Sequence, residues 1–178
     1  MDTPQVDAAL FEGMFIRTIQ PDEAFTEELR AAGFDLKKIQ PRYSPSVWRK
    51  ALEIARRRLF ADRPEERGFR DLGIRFVEGY FETIIGKIIS IPLSLVSPER
   101  LVQRLPKTWK TARPDVRVDA PLKEGDQRWR VRFHDQHSVP GFVAGIVEGA
   151  SKRTTLRGGM NVEIERVNSG GFDLVIWW

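Results

Sequence analysis

The apolar residues of this chain change their spacing once, near Pro106, and that change limits the folds open to it. Before it they recur at helical intervals: Val47, Ala51, Ile54, Ala55 and Leu59 share one face, with Arg49, Lys50, Glu53, Arg56 and Arg57 opposite. After it they alternate. Val116, Val118 and Ala120 are interleaved with charged residues, and Trp129, Val131 and Phe133 are interleaved with Arg128, Arg130, Arg132 and His134. A helical part followed by alternating strands predicts an α+β fold, with about five helices packed beside an antiparallel sheet of two hairpins. The 178 residues are expected to form a single domain over 1–178, helical over 1–106 and hairpin–helix–hairpin over 107–178.

Local signals divide the chain further. Residues Leu10 to Ile19 form a short apolar run that fits a strand or a buried helical turn. Pro21, Asp22 and Glu23 open a helix and Gly33 closes it. Ser46 is the expected N-cap of a second helix reaching about Ala61, with a polar turn over 62–68. The third helix carries a wide apolar stripe of Leu72, Phe76, Val77, Tyr80, Phe81, Ile84, Ile85 and Ile88, which predicts packing on two sides. Its Gly73, Gly79 and Gly86 predict close approach by a neighbour, since glycine in a helix costs about 1 kcal/mol relative to alanine. Pro98 starts a short fourth helix that should stop at Leu105, before Pro106. A turn over 123–126 joins the first hairpin. Ser138 caps a fifth helix over 141–152, and a second hairpin turns over 168–171 and ends at Trp177 and Trp178, one ring inward and one outward.

Composition excludes much chemistry. The chain has no cysteine, so disulfides, thiolate metal sites and thiol nucleophiles are ruled out. It has two histidines, His134 and His137, too few for a multi-histidine metal centre. The segment 1–9 carries Asp2 and Asp7 and no basic residue, the wrong charge for a secretory leader. The longest uncharged apolar stretch, 88–98, falls short of the ~20 residues of a membrane-spanning helix, so a soluble cytoplasmic protein is expected. There is no phosphate-binding loop, dinucleotide fingerprint, zinc-protease helix or nucleophile elbow. Within His134-Asp135-Gln136-His137, alternation sends His134 and Asp135 to opposite faces, and His134 outward. Glu78 and Glu82 lie together on a polar stripe, where solvation accounts for them. These features predict no enzyme, no catalytic residue, no metal and no cofactor.

Charge is concentrated. Of a net +4, residues 100–132 alone contribute ten basic and four acidic side chains. Arg100, Arg104, Lys107 and Lys110 are the candidate anion-binding residues. Nucleotide or nucleic-acid binding, with Trp109 and Trp129 as stacking platforms, is therefore the alternative function. Trp129 shares its strand face with Val131 and Phe133, however, which assigns it to the core and makes nucleic acid the weaker partner.

Several short motifs, in order, carry a resemblance: Phe11-Glu12-Gly13-Met14-Phe15, Pro45-Ser46-Val47-Trp48, Leu72-Gly73, Val77-Glu78-Gly79-Tyr80-Phe81 with Thr83, Leu105-Pro106, Phe142-Val143-Ala144-Gly145, and Trp177. Over nearly the whole chain they resemble a paralogous family of uncharacterised proteins from myxobacteria. More remotely, the layout is similar to the superfamily of vinyl-reductase-type domains, haem nitric-oxide-binding domains and transport-particle subunits. That resemblance implies helices beside an antiparallel sheet with a cavity for an apolar ligand. The cysteines its relatives use for metal or acylation are missing, and neither His134 nor His137 falls on a predicted helix, where the haem ligand of the nitric-oxide sensors sits. The combined expectation is a non-enzymatic ligand-sensing or protein-interaction domain of regulatory type, acting as a homodimer or with a protein partner. An apolar small molecule would lie against Phe76, Tyr80, Ile84, Phe142 and Ile146.

Overall fold

The computed structural model describes residues 5–81 and 95–178. Among these residues six α-helices pack with antiparallel strands, an α+β fold as the change of period predicts. In chain order these are β1 (Val6–Asp7), α1 (Ala8–Phe11), a π-helical segment Glu12–Thr18, α2 (Glu23–Ala31), β2 (Arg42–Tyr43), α3 (Pro45–Leu59) and α4 (Glu65–Tyr80). Then come α5 (Pro98–Ala112), β3 (Arg117–Val118), β4 (Leu122–Gly125), β5 (Arg128–His134), α6 (Pro140–Ser151), β6 (Asn161–Asn168) and β7 (Gly171–Trp177). The apolar run near the start is thus helical. The expected C-terminal part of the third helix, with Ile84, Glu82 and Gly86, lies outside the described residues.

Caps explain most of the helix boundaries. Asp22 Oδ1 accepts from Phe25 N at 2.8 Å, and Gly33 follows α2 with φ of +103°, a conformation that favours glycine. For α3 the cap is Ser44, not Ser46: its Oγ accepts from Val47 N, and Pro45 takes the first helical position. The expected polar turn over 62–68 is shorter, because Pro64 followed by Glu65 and Glu66 starts α4 in the way Pro21 and Asp22 start α2. The largest departure is α5, which runs through Pro106 to Ala112. A proline removes one intrahelical bond, but Leu101, Leu105, Trp109 and Ala112 continue one apolar face across it, and burial of that face offsets the loss. Ser138 does not cap α6; its Oγ donates to the Asp135 carbonyl at 3.1 Å. Of the alternating run at 116–120 only Arg117 and Val118 form a strand, β3; beyond Pro121, which has no ladder donor, β4 occupies 122–125, most of the turn expected at 123–126, and the chain turns at 126–127 instead.

The main sheet has the order β3-β5-β7-β6, with β4 sharing the β3 edge of β5. Its inner face stacks Trp129, Ile176 and Val162 in one row and Val131, Leu174 and Ile164 in the next. Its outer face is a lattice of charge, where Arg130, Arg132 and Arg166 converge on the buried carboxylate of Asp173 at 3.1–3.5 Å. Trp177 is on that side beneath Arg128, and Trp178 packs on the inner core, so the two terminal rings divide as expected.

Two cores result. The first joins α1, the π-helical segment, α2, α3 and α4 through Phe11, Phe15, Phe34, Tyr43 and Trp48. The second joins α5, α6 and the sheet through Val102, Leu105, Phe133, Phe172 and Leu174. Helix α6 belongs to both, with Phe142 in the first and Val143, Ala144 and Val147 in the second. It reaches that position by lying directly on α4. Gly141, Gly145 and Gly149, four residues apart, face the backbone at Glu66, Arg70 and Ile74, also four apart, and Gly73 faces Phe142 and Ile146. A Cβ at Gly145 would overlap the Arg70 carbonyl, and one at Gly73 the Phe142 carbonyl. Gly145→Ala is therefore expected to destabilise the fold by about 2 kcal/mol or more despite alanine's better helix propensity. Gly125→Ala, where the nearest foreign atom is 3.7 Å from the new methyl, should stay within about 0.5 kcal/mol. Urea denaturation of both variants tests the contrast.

Candidate functional site

Where the two cores meet, they do not close. A cavity of about 120 Å³ lies among α3, α4, α5 and α6, with Leu10 of α1 at one side. Its floor is Phe76 and Tyr80 from α4 and Phe142 and Ile146 from α6; Trp48 and Leu52 come from α3, and Leu101, Leu105 and Trp109 from α5. Phe76 stacks on Tyr80 at 5.0 Å between centroids and meets Phe142 at 5.4 Å, so the floor is a continuous aromatic surface. Burial, then the charge of Asp7, push the Tyr80 phenol above its usual pKa, keeping it protonated. The wall is therefore almost wholly apolar.

One side is polar. Arg104, Thr108 and Arg113 approach it from α5 and the residue following it, and Asp135, His137 and Ser138 from the β5–α6 connection. Arg113 is buried and bidentate to Asp115, both bonds at 2.8 Å, and also reaches Asp135 Oδ2 at 3.2 Å. Burial opposes its charge, but the hydrogen bonds and charges of the two carboxylates outweigh that, and its pKa is raised. The other oxygen of Asp135 accepts from His137 N at 2.9 Å. Arg104 and the His137 imidazole make no hydrogen bond or ion pair among the described residues. The indole N–H of Trp109 is buried without an acceptor among them.

Residues from both sets expected from sequence meet at this cavity. Phe76, Tyr80, Phe142 and Ile146 line it, while Ile84 lies outside the described residues. Of the four basic residues, Arg104 lines it, whereas Arg100, Lys107 and Lys110 are exposed on α5 away from the lining. The other cations of the basic stretch are occupied: Arg117 with His134 and Asp119, Arg128 and Arg130 with Glu124, Arg132 with Asp173, and Lys123 over the Trp129 ring. His134 is directed to Asp119, at 2.8 Å, on the outer side of the sheet and away from Asp135. The contributions of Trp48, Leu52 and Trp109 were not foreseen. For Trp109 the spacing Leu101, Leu105, Trp109, Ala112 was the available signal, hidden by taking Pro106 as a stop.

Comparison with known proteins places this geometry. The family model described as "Protein of unknown function (DUF2378)" matches residues 5–178, and the chain belongs to that family. No curated protein matches it. Among solved structures, it is similar to an H-NOX protein from S. oneidensis in the Fe(II)NO ligation state, with 10% identity, 96% of this chain and 97% of that chain covered, and a TM-score of 0.71. It is also similar to an Fe(II) unliganded variant of an H-NOX protein from K. algicida, at 9% identity, 96% and 95% coverage and a TM-score of 0.67. An oxygen-binding H-NOX domain related to soluble guanylate cyclases, in its oxygen complex, matches at 10% identity, 94% and 89% coverage and a TM-score of 0.63. At such identities the likeness is one of fold.

The Arg113 cluster gives a test of the site's electrostatics. Arg113→Leu leaves Asp115 and Asp135 buried without their cation and is expected to cost about 3–5 kcal/mol at neutral pH. Arg113→Lys, which keeps a cation but not the bidentate fork, should recover part of that loss. Urea denaturation of both variants at neutral pH checks the order.

Proposed function

We propose that this chain is a non-enzymatic, ligand-sensing regulatory domain, that the cavity between its two cores is the ligand site, and that the ligand is smaller than haem. The observation that carries this reading is the cavity itself. An unfilled apolar space among aromatic rings forfeits packing energy, which a fold keeps at little benefit unless something occupies it. The H-NOX likeness supports a sensing role, since those relatives hold iron and the gases NO or oxygen. The response would pass to a protein partner or to a second copy of the chain.

Haem itself does not fit the residues present. Sites that accommodate drug-sized ligands span about 300–1,000 Å³, against the 120 Å³ here. Axial ligation is poorly provided for: α5 carries no histidine, His134 is engaged on the far side of the sheet, and the raised pKa of Tyr80 opposes the phenolate that iron would need. Among the described residues His137, on the β5–α6 connection at the polar side, is the imidazole in the lining, so the case against haem rests on the volume. Among the described residues no group of three or more His, Asp or Glu is placed to hold a metal ion. The nucleotide-binding alternative lacks its stacking platforms, since Trp129 is buried and Trp109 packs edge-on to Phe133 at 5.2 Å.

Toluene is a suitable first probe, because a dry apolar cavity of roughly 150 Å³ accepts benzene. At a hundred times its Kd it should stabilise the fold by about 2.7 kcal/mol, raising Tm by roughly 5–10 °C. Ile146→Phe, which fills the floor, should abolish that rise while retaining the helical circular dichroism. No rise with the parent protein would refute the reading. Haemin titration should give no stoichiometric Soret band; a one-to-one band would overturn the size argument.

A further inference from the structure

Resting on the cavity as ligand site, the polar side of its lining narrows the ligand class. We propose that the site takes a small monocarboxylic acid, its short apolar body against Phe76, Phe142 and Ile146 and its carboxylate held at the rim by Arg104.

Two arginines line the cavity, and they stand in opposite states. Arg113 has two carboxylates of its own and nothing left to offer. Arg104 is exposed, reaches the cavity from the margin of the apolar face of α5, and has no anion among the described residues. That position suits an arginine whose stem covers apolar surface while its head meets solvent. A guanidinium fork matches a carboxylate in plane and spacing, and a ligand spanning floor and rim would present its head there. Arg100, Lys107 and Lys110, on the same helix and also exposed, add a positive field around the mouth that favours an incoming anion.

The charge around the site also sets an upper limit. Arg113, Asp115 and Asp135 together carry one net negative charge, and Asp135 lines the cavity. That charge opposes a doubly charged head such as a phosphate monoester more than a carboxylate. The volume limits the body to about the size of benzene or a five- or six-carbon chain. Thr108 and His137, also in the lining, are further donors near the head.

Calorimetric titration of the parent protein with hexanoate and with 1-hexanol, which share a chain and differ in charge, tests the assignment. Hexanoate is expected to bind about fivefold more tightly at low salt, with the advantage falling as salt screens the exposed rim. Arg104→Gln should remove the advantage and leave 1-hexanol unchanged, whereas Lys107→Gln, off the lining, should preserve most of it. Equal affinities in the parent would overturn the carboxylate assignment while leaving the cavity as a ligand site. So would an advantage that survives Arg104→Gln, or one that Lys107→Gln reduces as much. If neither compound binds, the cavity reading fails, and this assignment with it.

Discussion

Backbone meets backbone where α6 lies on α4, and the rest of the fold is arranged around that contact. Gly141, Gly145 and Gly149 bring one helix against Glu66, Arg70 and Ile74 of the other with no side chain between. Dispersion energy rises steeply at such distances, and no larger residue fits without moving a main-chain carbonyl. The seam is closed by charge. Arg70 bonds Glu148 of α6 at 2.5 Å and the Val162 carbonyl of β6 at 2.8 Å, tying both helices to the sheet. The same economy of space recurs on another side of α4, where Gly79 meets Thr18 and Gly13 of the π-helical segment. A helix gripped closely on two sides cannot shift to fill a space beside it.

The cavity follows from that rigidity. Because α6 is fixed by its glycines, its larger residues diverge, Phe142 and Ile146 to the first, ring-rich core, Val143 and Val147 to the second. The aromatic core is built of rings at 4.5–6.5 Å centroid separations, and the second core is pinned by the sheet. Neither can collapse into the gap without breaking its own packing, which is why the space persists between them.

Much of this was legible in the sequence, and the failures share a cause. The change of period near Pro106 predicted α+β correctly because alternation and the 3.6-residue repeat bury different faces. Helical spacing put Phe76, Tyr80, Phe142 and Ile146 on apolar faces, the resemblance to cavity-bearing domains supplied the idea of a cavity beside them, and Gly73 and Gly79 could be read as close contacts. The partner of that contact was overlooked, although Gly141, Gly145 and Gly149 stand at the required spacing. Ser46 in place of Ser44, Pro106 as a helix end, and a turn where β4 lies all follow from local preference. In each of these the local signal was real. For α5, tertiary burial of Leu101, Leu105 and Trp109 outweighed it. Arg113 could not have been assigned from sequence, because Asp135, one of its two partners, lies 22 positions away and reaches it only when β5 folds back beside α5.

The distribution of charge shows the same division between residues bound by the fold and residues left available. The basic stretch at 100–132 looks uniform in sequence, yet its C-terminal half is consumed by the sheet. Arg130 holds Glu124 and Glu165, Arg132 holds Asp173, and Arg128 covers Trp177. Such partners neutralise one another, and a strand cation opposite a carboxylate contributes to pairing more than to any outside field. Within that stretch, α5 keeps Arg100, Arg104, Lys107 and Lys110 without ion pairs among the described residues, and the apolar face of α5 forms a wall of the cavity with Arg104 at its margin. The apolar space and the unspent charge thus meet on one helix. Any molecule that engages both must be amphipathic, and its polar end must be the negative one.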